Sequence, residues 1–318
     1  MNTASRLLLF ATGLILVFGL MFLAGRALVP ESTVATWTRQ AEESSAAHEE
    51  TMAPELHTGG SHEGAEAGGP AIGGLSLEED GYRLGPIEAP EQAGKPGELS
   101  FRVYGPEGKP LTDFAVAHEK QLHLIAVRSD GSGFQHLHPE PDNPTGNWSV
   151  PVTWPRGGTY RVFTDFTPAG EPGRNLVLGR NTEVAGKVTP VPRPLSSRDT
   201  VDGFSVSIDG KFEAGESEPL TVTVTRGGQP ETRLQPYLGA YGHLVALREG
   251  DLAYLHVHAE AGPEEHGSDE GGHSHAEPEA GPEIRFVAEP PTPGRYLLYL
   301  DFKVEDRVHT AEFVLEAK

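Results

Sequence analysis

The chain predicts an all-β fold: two tandem immunoglobulin-like β-sandwich domains behind an N-terminal transmembrane helix and a disordered acidic stalk. Three observations carry that expectation. Residues 7–25 run nineteen positions without a charge, between Arg6 and Arg26. From Gly81 onward, short alternating apolar runs are broken by Gly, Pro and Asp, the punctuation of strands joined by tight turns. A stretch of the first half also recurs in the second without a gap.

Of 318 residues, 25 are Lys or Arg and 46 are Asp or Glu, a net charge of −21. The excess is concentrated: residues 31–80 contribute −10 and residues 260–283 contribute −8. Acidity therefore belongs to two polar segments, while the rest is close to neutral. An acidic chain with no basic stripe is a poor binder of nucleic acid. With no cysteine, disulfides, thiolate catalysis, Cys-ligated zinc, iron–sulfur clusters, a blue-copper site and an N-terminal lipid-modified Cys are all excluded.

Residues 1–30 read as a signal-anchor, because the apolar run has transmembrane length and no A-x-A cleavage site follows it; cleavage and secretion is the alternative. The bulk of the chain is placed outside the cytoplasm, on a single-pass membrane anchor. Residues 31–80 carry too little aliphatic content to offset the entropy of ordering, so a flexible stalk is expected, with His48, His57 and His62 solvated.

Residues 81–188 then give the first sandwich, with strands expected at 99–103, 122–127, 148–152, 160–166 and 176–184. Residues 189–200, containing Thr189-Pro-Val-Pro-Arg-Pro194, form a Pro-rich linker. Residues 201–318 give the second sandwich, with strands at 204–208, 220–224, 244–247, 284–287, 296–302 and 311–315, and a His/Glu-rich insertion at 260–283.

The repeat decides the domain count. Residues 108–138 lie over 228–258 at a constant offset of 120 with nine of 31 positions identical, and residues 158–166 lie over 294–302 at an offset of 136. The sixteen extra residues fall in the acidic insertion. Gly158-x-Tyr160 and Gly294-x-Tyr296, opening a late strand, match the tyrosine corner of an immunoglobulin-like sandwich.

Both copies contain H-x12-H-x-H: His123, His136, His138 and His243, His256, His258. If Asp130-Gly131 forms a two-residue hairpin loop, His123 faces His138 and Ile125 faces His136, so the three imidazoles share one face. With Gly250-Asp251 as the loop, His243 faces His258 and Val245 faces His256. Cross-strand Cβ atoms lie about 5 Å apart, so three inward rings can meet one ion. Three imidazoles, with or without a carboxylate from Asp165 or Asp301, suit Cu(II), Zn(II) or Ni(II), and Cu(II) leads by affinity order. The bland reading is a hydrogen-bonded polar cluster. His118, replaced by Leu238 in the second copy, is either a fourth ligand or an ordinary loop residue; Asp165 and Asp301 are either ligands or strand-end caps.

His118-Glu-Lys-Gln-Leu-His-Leu-Ile125, His136-Leu-His-Pro139 and Gly158-Thr-Tyr-Arg-Val-Phe-Thr-Asp-Phe166 resemble the extracytoplasmic His-rich β-sandwich domains of membrane-anchored bacterial proteins described as YtkA-like or heavy-metal-associated. The two-copy layout, including residues 234–247, is similar to actinobacterial secreted or membrane proteins. The resemblance spans Gly81 to the C-terminus and implies a metal-related role outside the cytoplasm.

Three functions compete. The first is a membrane-tethered protein that buffers or delivers copper or zinc, with one three-His site in each repeat and no catalysis. Its partners are then a metal ion, the cytoplasmic membrane through the N-terminal helix, and an extracytoplasmic protein. The second is a structural or protein-interaction module of the cell surface without metal. The third is a metal-dependent, cupin-like enzyme, although no nucleophile or general base stands out and no H-E-x-x-H, G-x-S-x-G or phosphate-cradling loop is present.

Overall fold

In a computed structural model of the chain, which describes residues 72–171, 173–259 and 281–318, every regular element is a β-strand. The expected N-terminal anchor, most of the stalk, His48, His57, His62 and most of the insertion, with His266, His273 and His275, lie outside the described residues. No helix among the described residues is long and apolar enough to cross a membrane.

The first repeat comprises β1 (Glu78–Glu79), β2 (Tyr82–Leu84), β3 (Pro96–Tyr104), β4 (Leu122–Arg128), β5 (Gln135–Leu137), β6 (Glu140–Asp142), β7 (Asn147–Thr153), β8 (Gly158–Phe166) and β9 (Leu176–Val184). The second comprises β10 (Arg198–Val201), β11 (Phe204–Gly210), β12 (Glu218–Arg226), β13 (Gln229–Pro230), β14 (Gly242–Arg248), β15 (Tyr254–His256), β16 (His258–Ala259), β17 (Glu283–Ala288), β18 (Gly294–Val304) and β19 (Arg307–Ala317). Each longer strand covers a run expected from the sequence. The unexpected ones are short and carry too few residues to show an alternation.

In the first repeat one sheet runs β1-β2-β3-β7-β6 and the other β5-β4-β8-β9; in the second the orders are β10-β11-β12-β17-β16 and β15-β14-β18-β19. The two orders match strand for strand, β13 beside β12 being an addition in the second repeat, and the ladders between named strands are antiparallel. Alternate residues fill each sandwich: Leu99, Phe101 and Val103 of β3 meet Leu124, Ala126 and Val162 of the facing sheet, and Val222 and Val224 meet Ala246, Leu298 and Leu300. The tyrosine corner is present twice: Tyr160 Oη donates to Arg156 O at 3.0 Å, and Tyr296 Oη to Thr292 O at 2.9 Å.

The four-stranded sheets are buried on both faces. Ile125, Val127, Phe163 and Val177 of the first repeat and Val245, Leu247, Tyr254, Leu297, Tyr299 and Val314 of the second form a third apolar cluster. The two sandwiches therefore pack sheet on sheet. Their contacts are reciprocal under the repeat: Phe134 stacks on Tyr299 at 4.1 Å between ring centroids, and Tyr254, the equivalent of Phe134, packs 5.6 Å from Phe163, the equivalent of Tyr299. Gly131 takes φ 78°, and a Cβ there would stand 2.4 Å from Leu297 Cδ1, so this turn touches the other repeat as closely as only glycine permits. Tyr299 Oη donates to Gly131 O at 2.6 Å across the same junction.

Several expectations change in detail. Ile125 does face His136 and Val245 does face His256, but neither hairpin loop has two residues. Arg128 N–H bonds Ser132 O at 2.9 Å, Gly131 N–H bonds Arg128 O at 2.8 Å, and the Asp130 carboxylate accepts from Arg128, from Ser132 N–H and from Ser132 Oγ. Side-chain bonds thus widen the turn. In the second copy residues 249–252 form the loop, with Leu252 at φ 59°.

His258 does not face His243. The chain has by then crossed to the other sheet, where β16 pairs with β17 and His258 lies opposite Val287. His138 likewise lies one residue past β5, before the chain crosses to β6. The stalk boundary at 80 falls inside ordered backbone, since Gly74 N–H bonds Val177 O at 2.8 Å and β1 pairs with β2. The Pro-rich segment is pinned to both repeats: Val191 N–H donates to Asp130 at 2.8 Å and Ser196 N–H to Val314 O at 2.9 Å.

Candidate functional site

The histidines sit where the two doubly buried sheets run out of apolar residues. His123 shares a β4 face with Ile125 and Val127, and His243 shares the β14 face with Val245 and Leu247, because side chains two apart point the same way. Both faces look into the junction between repeats. His136, His138 and His123 form one group whose candidate ligand atoms all lie within 4.8 Å of one another. Ring centroids are 5.3 Å apart for His123–His136, 5.2 Å for His123–His138 and 4.7 Å for His136–His138.

The second repeat contributes to the same place. The His243 ring lies 6.2 Å from His136 and 5.5 Å from His118, which is itself 6.1 Å from His123. His118, His123, His136, Asp165, His243 and Tyr254 line a cavity of about 60 Å³. That volume admits an ion or a few waters, not an organic substrate. The sequence suggested two separate sites; the fold brings the first triplet, His118 and His243 to one junction. For His256 and His258 only the backbone is described.

Hydrogen bonds assign the ring protons. A short turn in each copy, with His118 and Glu119 at φ 49° and 62° and Leu238 and Gly239 at 52° and 78°, brings a carbonyl back over the first histidine. His123 Nε2 lies 3.2 Å from Ala117 O, and His243 Nε2 lies 2.7 Å from Tyr237 O. A carbonyl only accepts, so both rings carry their proton on Nε2 and keep a lone pair on Nδ1. His136 Nδ1 lies 2.8 Å from Asp301 Oδ2, so its proton is on Nδ1 and its lone pair on Nε2. Yet His123 Nδ1 and His136 Nε2 are 3.1 Å apart. With neutral rings, two lone pairs face each other there with no proton between them. His138 Nε2 is buried with no partner.

Burial depresses the basicity of these rings. It is the main reason that His123 is pushed down to about 4, with the neighbouring His136 adding to the effect and the Ala117 carbonyl and Asp165 opposing it. His138 is pushed down to about 3 by burial, then by His136, His123 and Lys120. His243 is lowered by burial, against the Tyr237 carbonyl. Neutral imidazoles with free lone pairs are what a divalent metal binds.

Asp165 and Asp301 stand opposite His123 and His243 in the ladders and are 7% and 4% exposed. Asp301 accepts from Thr310 Oγ1 at 2.6 Å as well as from His136, while Asp165 accepts from Tyr254 Oη at 3.2 Å. Sequence reading missed Tyr254, Tyr237 and the turn carbonyls of residues 117 and 237. The constant offset of 120 that pairs Ala117 with Tyr237 was the available signal for the carbonyls.

A family profile described as a domain of unknown function (DUF8832) matches residues 77–174 and 199–318. The chain belongs to that family. No curated protein matches it in sequence. Among solved structures, the Yersinia pseudotuberculosis adhesin InvE aligns at 9% identity and a TM-score of 0.23, over 77% of this chain and 60% of that one. Salmonella alpha-2-macroglobulin aligns at 14% and 0.25, over 79% and 15%, and domains 5–6 of the S-layer protein SbsC at 11% and 0.20, over 74% and 94%. The chain thus spans less than two thirds of the first two. Scores this low carry no argument.

Proposed function

We propose that this DUF8832 chain is an extracytoplasmic metal-binding protein, held to the membrane by residues 1–30, that buffers or delivers copper or zinc through His123, His136 and His138. The observation that carries the reading is the facing pair of lone pairs, His123 Nδ1 and His136 Nε2, 3.1 Å apart, beside the unpartnered His138 Nε2. A cation between them resolves the repulsion. Two nitrogens held tetrahedrally at about 2.0–2.1 Å from zinc are about 3.3 Å apart, so the spacing fits. A donor set of imidazole nitrogen without sulfur suits Zn(II) or Cu(II) rather than Cu(I). Binding requires no catalytic step.

A second reading has its own observation. A proton on His136, paired with the Asp301 carboxylate 2.8 Å away, fills the same gap, and the cluster is then a polar seam that locks the repeats of a surface interaction module.

Titration of the full chain with Zn(II) or Cu(II) separates the readings. Metal binding at the triplet predicts a tight equivalent that survives replacement of His266, His273 and His275 by Ala, and falls at least ~100-fold when His123, His136 and His138 become Ala, as expected when ligands of a closed N-donor site are removed. A seam predicts no tight equivalent, or one that the triplet variant retains.

A further inference from the structure

We infer that the metal centre is completed across the repeats: Asp301 of the second sandwich is the positioning residue for His136 of the first, so that metal binding and repeat docking are linked. This rests on the metal-binding reading above and adds a residue that touches no metal. His136 sits on a three-residue strand at the edge of its sheet, paired through only three residues, and its own repeat supplies no bond to Nδ1 among those described. The bond comes from Asp301, 165 positions away in sequence and 2.8 Å in space.

Asp301 is itself fixed. It lies mid-strand in β18, opposite His243 on β14 and Thr310 on β19. Thr310 Oγ1 occupies its other oxygen at 2.6 Å, and the side chain is 4% exposed. With both oxygens engaged, Asp301 acts as a hydrogen-bond acceptor that holds the His136 proton on Nδ1 and aims Nε2 at the triplet. A carboxylate behind a ligating histidine fixes its tautomer and raises its basicity. Here that carboxylate crosses a domain junction held by Phe163, Tyr254, Leu297 and Tyr299.

Linkage follows. Any ion that binds better with the repeats docked must stabilise the docking by the same factor. The H-x-H of the first repeat thus takes the acceptor that orients His136 from the second repeat, across the face on which the two pack.

The test is Zn(II) titration of the full chain and of Asp301→Asn, with the His136 tautomer read by 15N NMR. The expected result is an affinity about 10–100-fold weaker, with loss of the single Nδ1–H signature of His136. Thr310→Val, which frees Asp301 without removing it, should shift affinity the same way by less and serves if Asp301→Asn does not fold. Asp202→Asn, which breaks the separate His309–Asp202 pair of 2.8 Å, should leave affinity unchanged. Wild-type affinity in Asp301→Asn, or a retained Nδ1–H tautomer, overturns the inference while leaving the triplet reading intact. Failure of the wild-type chain to bind Zn(II) overturns both.

Discussion

The two repeats share strand order, tyrosine corners and the turn that caps the first histidine, yet they meet asymmetrically. Where the first has Phe134 the second has Tyr254; where the first has His118 the second has Leu238; Asp165 pairs with Val177 across the ladder and Asp301 with Thr310. The apolar part of the junction obeys the two-fold logic of an isologous dimer, as the reciprocal Phe134–Tyr299 and Phe163–Tyr254 contacts show. The described polar residues differ between the copies at His118 against Leu238 and at Thr310 beside Asp301 against Val177 beside Asp165. A duplicated domain that buries one face against its copy relaxes the demand that both copies perform the same chemistry. The first copy carries the described triplet, and the second supplies the carboxylate behind His136.

The largest effect should come from breaking the shared apolar face. Phe163 is fully buried and belongs to the junction rather than to its own sandwich core. Phe163→Ala should cost about 3–5 kcal/mol in denaturant unfolding and split one transition into two as the repeats lose each other. A cost under ~1 kcal/mol, typical of a surface site, would show that the sandwiches stand independently.

Much of the architecture was legible because the longer strands alternate and the copies align without a gap. The docking was written less plainly. Leu122-His-Leu-Ile-Ala-Val127 and Tyr296-Leu-Leu-Tyr-Leu-Asp-Phe302 are near-continuous apolar runs, which signal strands buried on both faces, whereas an isolated sandwich needs one solvated face. That signal identifies a covered sheet but not its cover. The histidine spacing correctly put His136 opposite Ile125 and His256 opposite Val245. It could not show that β5 and β15 end after three residues, because the crossing to β6 and β16 depends on which sheet edge is open, a property of the whole sandwich. The His136–Asp301 bond links residues with no local relation in sequence.

A second, intermediate effect sharpens the comparison through pH. In the unfolded chain a histidine takes up a proton near 6.5, while burial holds His123 near 4 and His138 near 3 and also lowers His243. Below 6.5 the unfolded state therefore binds more protons than the metal-free folded state, so stability falls as pH falls. The contribution of these neutral rings is fully present above about 6.5 and is lost as pH drops to about 4 and then about 3. The Tm of metal-free protein should decline across that window. Carboxylates add a decline of their own at the acid end, so the His138→Gln variant is the control: its slope between pH 6.5 and 4 should be shallower. An identical slope would mean that His138 is not held neutral by burial.

The smallest effect tests the asymmetry itself. Tyr254 is fully buried apart from a 7% exposed remnant, and its Oη donates to Asp165 at 3.2 Å while its ring packs on Phe163. Burial and the facing carboxylate hold the phenol protonated, with its pKa well above the usual value. Tyr254→Phe converts the position to the residue that the first copy has at 134 and leaves the ring contact in place. What is lost is one donor to a buried carboxylate, worth about 1–3 kcal/mol when a charged acceptor loses its partner. The loss should appear as lower stability in urea, with Zn(II) affinity changed less than in Asp301→Asn, because Asp301 is the carboxylate that accepts from His136. A larger affinity loss in Tyr254→Phe than in Asp301→Asn would invert the assignment and make Asp165 the carboxylate that serves the site.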